Sequence, residues 1–236
     1  MSDEVQRVLM VMAHPDDVDF GCAGSVAAWT KAGIEVSYCI VTDGDAGGFD
    51  PDVPRLEIPG IRQAEQRAAA AEVGVTDLHF LGHPDGRLYV THELRRDISR
   101  VIRQVRPQRV VTQSPDRNYD RIYASHPDHL ATGEATLCAV YPDARNPFAH
   151  PELAMDGYEA WTVDEVWLAS NAGANRWVDV TDTFPAKLSA LRAHVSQTAH
   201  MEDLEGMLRS WLQVNAAAAG FGEDRLAEGY RVVSTA

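Results

Sequence analysis

Apolar and polar positions alternate with two periods along the chain. Residues 7–13 (RVLMVMA) form a short apolar run that stops at His14-Pro15. Proline disfavours the helical region for the residue before it, so His14 is expected at the end of a strand. Residues 21–32 then read as a helix stopped by Gly33, and residues 35–42 (EVSYCIVT) as a second, β-branched strand. A long loop rich in Gly, Pro and Asp follows over 43–60, a length usually reserved for functional or mobile segments. The same rhythm continues with a helix over 61–73, a strand over 77–81 and a turn over 82–89 that carries HPDG. A helix over 91–105, a strand over 108–113, a polar loop over 114–125 and a helix from His126-Pro127 to about 141 complete it.

Four strand–helix repeats in succession predict an α/β fold: a Rossmann-like, doubly wound, mostly parallel sheet with helices on both faces. Beyond residue 142 the pattern is less regular. Strands are expected over 163–169 and 176–180, helices over 184–194 and 203–218, and a last edge strand over 230–234. No linker or internal repeat divides the chain, so a single domain over 1–236 is expected, with a motif-bearing core at 1–142 and a less regular part at 143–236.

Composition narrows the function classes. There are 21 Lys and Arg against 35 Asp and Glu, a formal net charge of −14. An acidic surface is repelled by nucleic-acid phosphates and anionic membranes, so neither partner is expected. The apolar run at 7–13 is too short for a signal segment or a membrane span, and a cytoplasmic location follows as the expectation. Cys22, Cys39 and Cys138 form no CxxC pair and read as small buried hydrophobes.

Ligands of open α/β sheets bind outside the carboxyl ends of the strands. After the first strand a nucleotide-binding chain would carry GxGxxG; this one carries Ala13-His14-Pro15-Asp16-Asp17. Carboxylates there would repel a pyrophosphate and attract a cation. After the fourth strand comes His126-Pro127-Asp128-His129. Imidazoles and carboxylates with one open position are what a catalytic Zn²⁺ needs, and a spare carboxylate beside them could act as general base. Each motif alone has a plainer reading, Asp16 or Asp17 as a helix N-cap and HPDH as a solvated turn with Pro at the first helical position. The metal reading rests on the two together, each following a strand of the same sheet. Spacing does not say which of Asp16 and Asp17 is the ligand.

AHPDD followed by Gly21, with the downstream HPDH, resembles the PIG-L/LmbE-like superfamily of zinc-dependent de-N-acetylases over about residues 6–142. That resemblance implies His14, Asp17 and His129 as Zn²⁺ ligands, with Fe²⁺ or another divalent ion an alternative in the cell. It implies Asp16 as the general base and His126 as the stabiliser of the oxyanion and donor to the leaving amine. Asp128 would orient His126. The implied substrate is a small molecule containing an N-acylated, most simply N-acetylated, amino sugar. The rival readings are an amidase of a sugar-linked thiol conjugate and a non-catalytic metal- or ligand-binding module.

Arg62, in IRQAEQ, resembles the family's R-x-x-E helix and would reach substrate; its plainer role is a surface pair with Glu65. Asp85 would bind sugar hydroxyls or hold a turn. Arg117, Asn118, Tyr119, Asp120 and Arg121 are candidate rim residues, with Arg121 the one assigned to substrate. Several relatives carry a Tyr two residues before His126, where this chain has Ala124 and places Tyr123 one position earlier. The glycines at 44, 47 and 48 would border the pocket or merely permit turns. Arg55, Arg62, Arg87, Arg117 and Arg121 near one edge would make a locally cationic rim despite the global charge, suited to an anionic substrate. The other histidines and Trp161, Trp167, Trp177 and Trp211 are expected to pack or face solvent. Relatives often assemble, which leaves a homo-oligomer open.

Overall fold

The structure is a computed structural model that describes residues 5–119, 122–169 and 173–235. The alternation read from the sequence is realised in order. It runs β1 (Arg7–Met12), α1 (Asp17–Lys31), β2 (Glu35–Thr42), α2 (Ile58–Glu72), β3 (Asp77–His83), α3 (His92–Val105), β4 (Arg109–Gln113) and α4 (Pro127–Cys138). The remainder supplies α5 (Pro151–Met155), β5 (Glu165–Ala169), β6 (Arg176–Asp179), α6 (Phe184–Ala193), α7 (Val195–Thr198), α8 (Leu204–Ala218) and β7 (Ala227–Ser234). The helix expected to reach residue 141 is regular only to Cys138 and passes into a π-type stretch over Ala139–Ala144.

The strands form one sheet in the order β3-β2-β1-β4-β5-β7-β6. β1 to β5 pair in parallel, whereas β7 runs antiparallel to both β5 and β6. The expectation of β7 as an edge strand is therefore corrected: it lies between β5 and β6, and β6 is the edge. The reason is tertiary: β7 pairs antiparallel with β5 along one side and with β6 along the other, and Tyr230 is fully buried there.

The period of two in β1 sorts its side chains between two cores. Val8, Met10 and Met12 pack with Val18, Cys22, Ala23 and Val26 of α1 and with Ala69 and Ala70 of α2. Leu9 and Val11 face the other way, onto Leu94, Ile98 and Ile102 of α3 and Ala131 and Ala135 of α4. Helices thus cover both faces. A third cluster joins Phe184, Leu188 and Leu191 of α6 to Leu204, Leu208 and Leu212 of α8. Cys22 and Cys39 are buried in these cores, and burial pushes both thiols up to about 12; Cys138 is only half-buried. Trp167 is core, while Trp211 on α8 is 39% exposed.

The chain leaves β1 toward β2 and β3 on one side and reaches β4 and β5 on the other, so the topological switch lies between β1 and β4. Two bonds pin the end of β1 there. Ala13 N–H donates to Gln113 Oε1 at 3.0 Å, and Thr42 N–H donates to Ala13 O at 2.8 Å. On the opposite side of the switch, Gly133 lets α4 press onto the backbone of Gln113, Ser114 and Pro115, where an added Cβ would lie 2.9 Å from Pro115 N. Gly133→Ala is therefore expected to destabilise the fold by about 1–3 kcal/mol, read as a lower urea midpoint. An unchanged midpoint would mean that α4 has slack against β4.

Candidate metal centre and active site

The two motifs follow β1 and β4 and meet at the switch. His14 Nδ1 and His129 Nε2 lie 3.2 Å apart. The Asp17 carboxylate lies between them, Oδ2 at 3.2 Å from His14 Nδ1 and Oδ1 at 3.1 Å from His129 Nε2. Two imidazole nitrogens and a carboxylate at these separations match a tetrahedral site, in which bonds of roughly 2.0–2.1 Å place neighbouring donors about 3.3 Å apart. His126 adds a third ring nitrogen within 4.8 Å of those of His14 and His129.

His14 is anchored from behind. Its Nε2 is 3.0 Å from Asp85 Oδ1 and 3.3 Å from Asp128 Oδ2. A carboxylate behind a metal-binding imidazole fixes its tautomer, leaving Nδ1 free to ligate. Burial lowers the His14 pKa, but Asp17, Asp128 and Asp85 outweigh burial and raise it to about 12. The negative charge that holds this proton suits a divalent cation equally well. Burial also disfavours ionised Asp17, yet His129 and His14 hold it well below the usual carboxylate range.

The Asp16 carboxylate has a different partner, Arg62. Asp16 opens α1 in the left-handed region, at φ 98°, a conformation that costs a non-glycine residue about 1–3 kcal/mol and persists only where its surroundings enforce it. Its Oδ2 accepts from Arg62 Nη2 at 3.1 Å. Burial raises the Asp16 pKa, Arg62 opposes that and Asp17 adds to it, leaving the group at about 6. It is thus more basic than an exposed aspartate, as a proton acceptor should be.

His126 caps α4. Its Nδ1 accepts the Asp128 backbone N–H at 3.2 Å, so its proton is on Nε2. Burial, His14 and His129 all lower its pKa, and the resting ring is a neutral donor. The Asp128 carboxylate serves a different partner from the expected one. It accepts from Gly86 N–H at 2.6 Å and Leu88 N–H at 3.1 Å and contacts His14, not His126. These bonds and His14 hold Asp128 ionised despite its burial.

Arg62 and Asp85 also take other places than the substrate-facing ones expected. Arg62 is 3% exposed. Its guanidinium reaches Asp16, Pro15 O and Gly44 O and lies 3.8 Å from Asp85. A side chain at Gly44 would meet it at 2.6 Å, so this loop glycine serves the packing of Arg62. Glu65 does not pair with Arg62; it accepts from Ser196 N–H and Oγ–H. Asp85 is buried behind His14, and its backbone N–H is held by Asp45 Oδ1. Arg55 is paired with Asp45, whereas Arg87 and Arg117 are exposed. Asp120 and Arg121 lie outside the described residues, as does the side chain of Tyr123. Sequence reasoning passed over Gln66, although it follows Arg62 by four positions and so shares its helix face.

A family model described as PIG-L, GlcNAc-PI de-N-acetylase, matches residues 9–140. A diacetylchitobiose deacetylase of Thermococcus kodakarensis is 32% identical over 232 residues, 98% of this chain and 84% of that protein. A probable N-acetyl-alpha-D-glucosaminyl L-malate deacetylase 2 of Bacillus anthracis is 32% identical over 201 residues, 82% of each chain. Among solved structures, an N,N'-diacetylchitobiose deacetylase from Pyrococcus horikoshii, complexed with its inhibitor MPG, superposes with a TM-score of 0.90. It is 29% identical, and the match covers 98% of this chain and 85% of that one.

Proposed function

The chain belongs to the PIG-L family of GlcNAc-PI de-N-acetylases, and from that premise we propose that it hydrolyses the N-acetyl amide of an amino-sugar-containing small molecule. In this reading His14, Asp17 and His129 hold a divalent cation, zinc or ferrous iron by donor type. When bound, the cation polarises the amide carbonyl and acidifies water. The observation that carries the reading is the division of labour between adjacent carboxylates: Asp17 faces two imidazoles, and Asp16 faces Arg62.

The residues then act in order. Asp16 accepts a proton from the attacking water as its oxygen bonds to the amide carbon. Arg62 keeps the Asp16 carboxylate in place. His126, with its proton on Nε2, donates a hydrogen bond to the developing oxyanion. As the C–N bond breaks, the proton held by Asp16 passes to the nitrogen, and the amine and acetic acid leave, the acid ionising to acetate. Asp85 and Asp128 keep His14 fixed throughout.

The test is an amine-release screen of the protein loaded with zinc or ferrous iron. Its panel includes N-acetylglucosamine, N,N'-diacetylchitobiose, N-acetylglucosaminyl malate and a sugar-linked thiol conjugate. Release from one or more of the N-acetyl amino sugars is expected, and chelation should remove it. Metal uptake with no amide hydrolysed across the panel would replace this reading with a binding module. Turnover confined to the thiol conjugate would make the protein an amidase of that class. No described helix is long and apolar enough to cross a membrane.

A further inference from the structure

Beneath Asp16 runs a line of buried side chains that the reaction above leaves unused. The Asp16 backbone N–H donates to Gln66 Oε1 at 2.8 Å. Gln66 Nε2 donates to Asp19 Oδ2 at 2.8 Å, and that oxygen is 2.8 Å from His194 Nε2. Gln66, Asp19 and His194 are all fully buried. They come from α2, α1 and the end of α6, so three elements converge under one backbone amide.

We propose that Gln66 is a positioning residue for the general base. Its amide oxygen holds the Asp16 backbone in the left-handed conformation that aims the carboxylate, and Asp19 with His194 fixes which end of the amide faces Asp16. The inference rests on the deacetylase reading for its kinetic arm only. Asp19 Oδ2 accepts from Gln66 Nε2, which turns the amide nitrogen toward Asp19. The oxygen must then face Asp16, whose N–H is the donor. Arg62 lies one helical turn earlier on α2 and grips the side chain of the same aspartate. α2 therefore holds Asp16 twice, by carboxylate and by backbone.

A packing role and a positioning role order two variants differently. Gln66→Met fills the space but offers Asp16 no acceptor. Gln66→Glu keeps an acceptor for Asp16 while crowding a second carboxyl against Asp19. If Gln66 only supports the fold, the Glu variant is the worse of the two. If it positions Asp16, the Glu variant is the better catalyst even where it is the less stable protein.

The experiment measures kcat and KM separately, metal content, thermal midpoint and crystal structure for wild type and both variants, loaded with zinc and assayed on the best N-acetyl amino sugar. For Gln66→Met, a fall in kcat of roughly 10- to 100-fold is expected, with KM and metal content near wild type. The Asp16 φ should leave the left-handed region in its crystal structure. Gln66→Glu should stay within about tenfold of wild-type kcat. Wild-type kcat in Gln66→Met, or losses that follow the thermal midpoint in both variants, would overturn the proposal. If Gln66→Met does not fold, Gln66→Glu decides alone: kcat retained supports the proposal, and kcat lost with metal still bound overturns it. If wild type hydrolyses nothing, the functional reading fails, and the Asp16 φ in the variant crystals still decides whether Gln66 holds that backbone.

Discussion

Asp16→Asn is expected to lower kcat by about 10²- to 10⁴-fold while the protein keeps its metal. Asparagine has the shape of aspartate, and its oxygen can still accept from Arg62 Nη2, which now lies 3.1 Å from Asp16 Oδ2. The Gln66 bond is made to the backbone and is unaffected by the change. What disappears is basicity, because a carboxamide does not take a proton from water. Metal should remain because the carboxylate that faces the two imidazoles belongs to Asp17. His129→Ala should do the converse. It removes one of the two ring nitrogens that approach within 3.2 Å, and elemental analysis should find the metal lost. An Asp16→Asn protein that turns over at the wild-type rate with full metal would refute the base assignment. Full metal in His129→Ala would refute the ligand set.

Lys187→Met is expected to destabilise the protein by about 3–5 kcal/mol, a fall of roughly 10 °C in thermal midpoint for a chain of this size. Lys187 is fully buried, and lysine is rarely so unless it is paired. Its Nζ donates to Glu228 Oε1 at 2.8 Å and to the carbonyls of Asp19 and Phe20 at 2.9 and 2.7 Å. Glu228 in turn accepts from the N–H groups of Gly24 and Ser25 and from Tyr230 Oη. The pair therefore stitches the backbone of α1 to α6 and β7. Gly24 permits the approach, since a Cβ there would lie 3.1 Å from Glu228 Oε1 and 2.7 Å from Val180 Cβ. Removing the lysine leaves a buried carboxylate without its cation, which costs more than the pair contributes. Adding Glu228→Gln should recover part of the loss, because the amide oxygen still serves one N–H and no charge is stranded. Scanning calorimetry reads both variants. A shift below about 2 °C for the single variant would mean that water solvates Glu228, against its 1% exposure.

The elements read from local pattern are those the chain forms, and the reason is local. The alternation in β1 sends Val8, Met10 and Met12 to one core and Leu9 and Val11 to the other, a division already written in the order of residues. β7 escaped that logic. A short strand at the end of a chain carries no signal of whether it pairs on one side or two, and pairing with both β5 and β6 depends on where those strands lie. Arg62, Asp85 and Asp128 show the same limit within the site. Each was recognised as functional in type, but each has a partner far along the chain. Arg62 meets Asp16 across 46 positions and Asp128 meets His14 across 114.

By itself the sequence determined the strand–helix order and the chemistry at two strand ends. Periods of 2 and 3.6, a proline after His14 and histidines beside aspartates are properties of neighbouring residues. Those were enough to specify an α/β sheet with a cation-seeking site at its switch point. Only the tertiary structure decided which carboxylate faces which imidazole and which supports the other. It also decided that the region without motifs reaches Asp16, from His194 to Asp19 across 175 positions and on through Gln66. Such pairings are set by sheet order and by burial. A buried polar group must find a partner, and the partner it finds is whichever one the packing brings within hydrogen-bond distance.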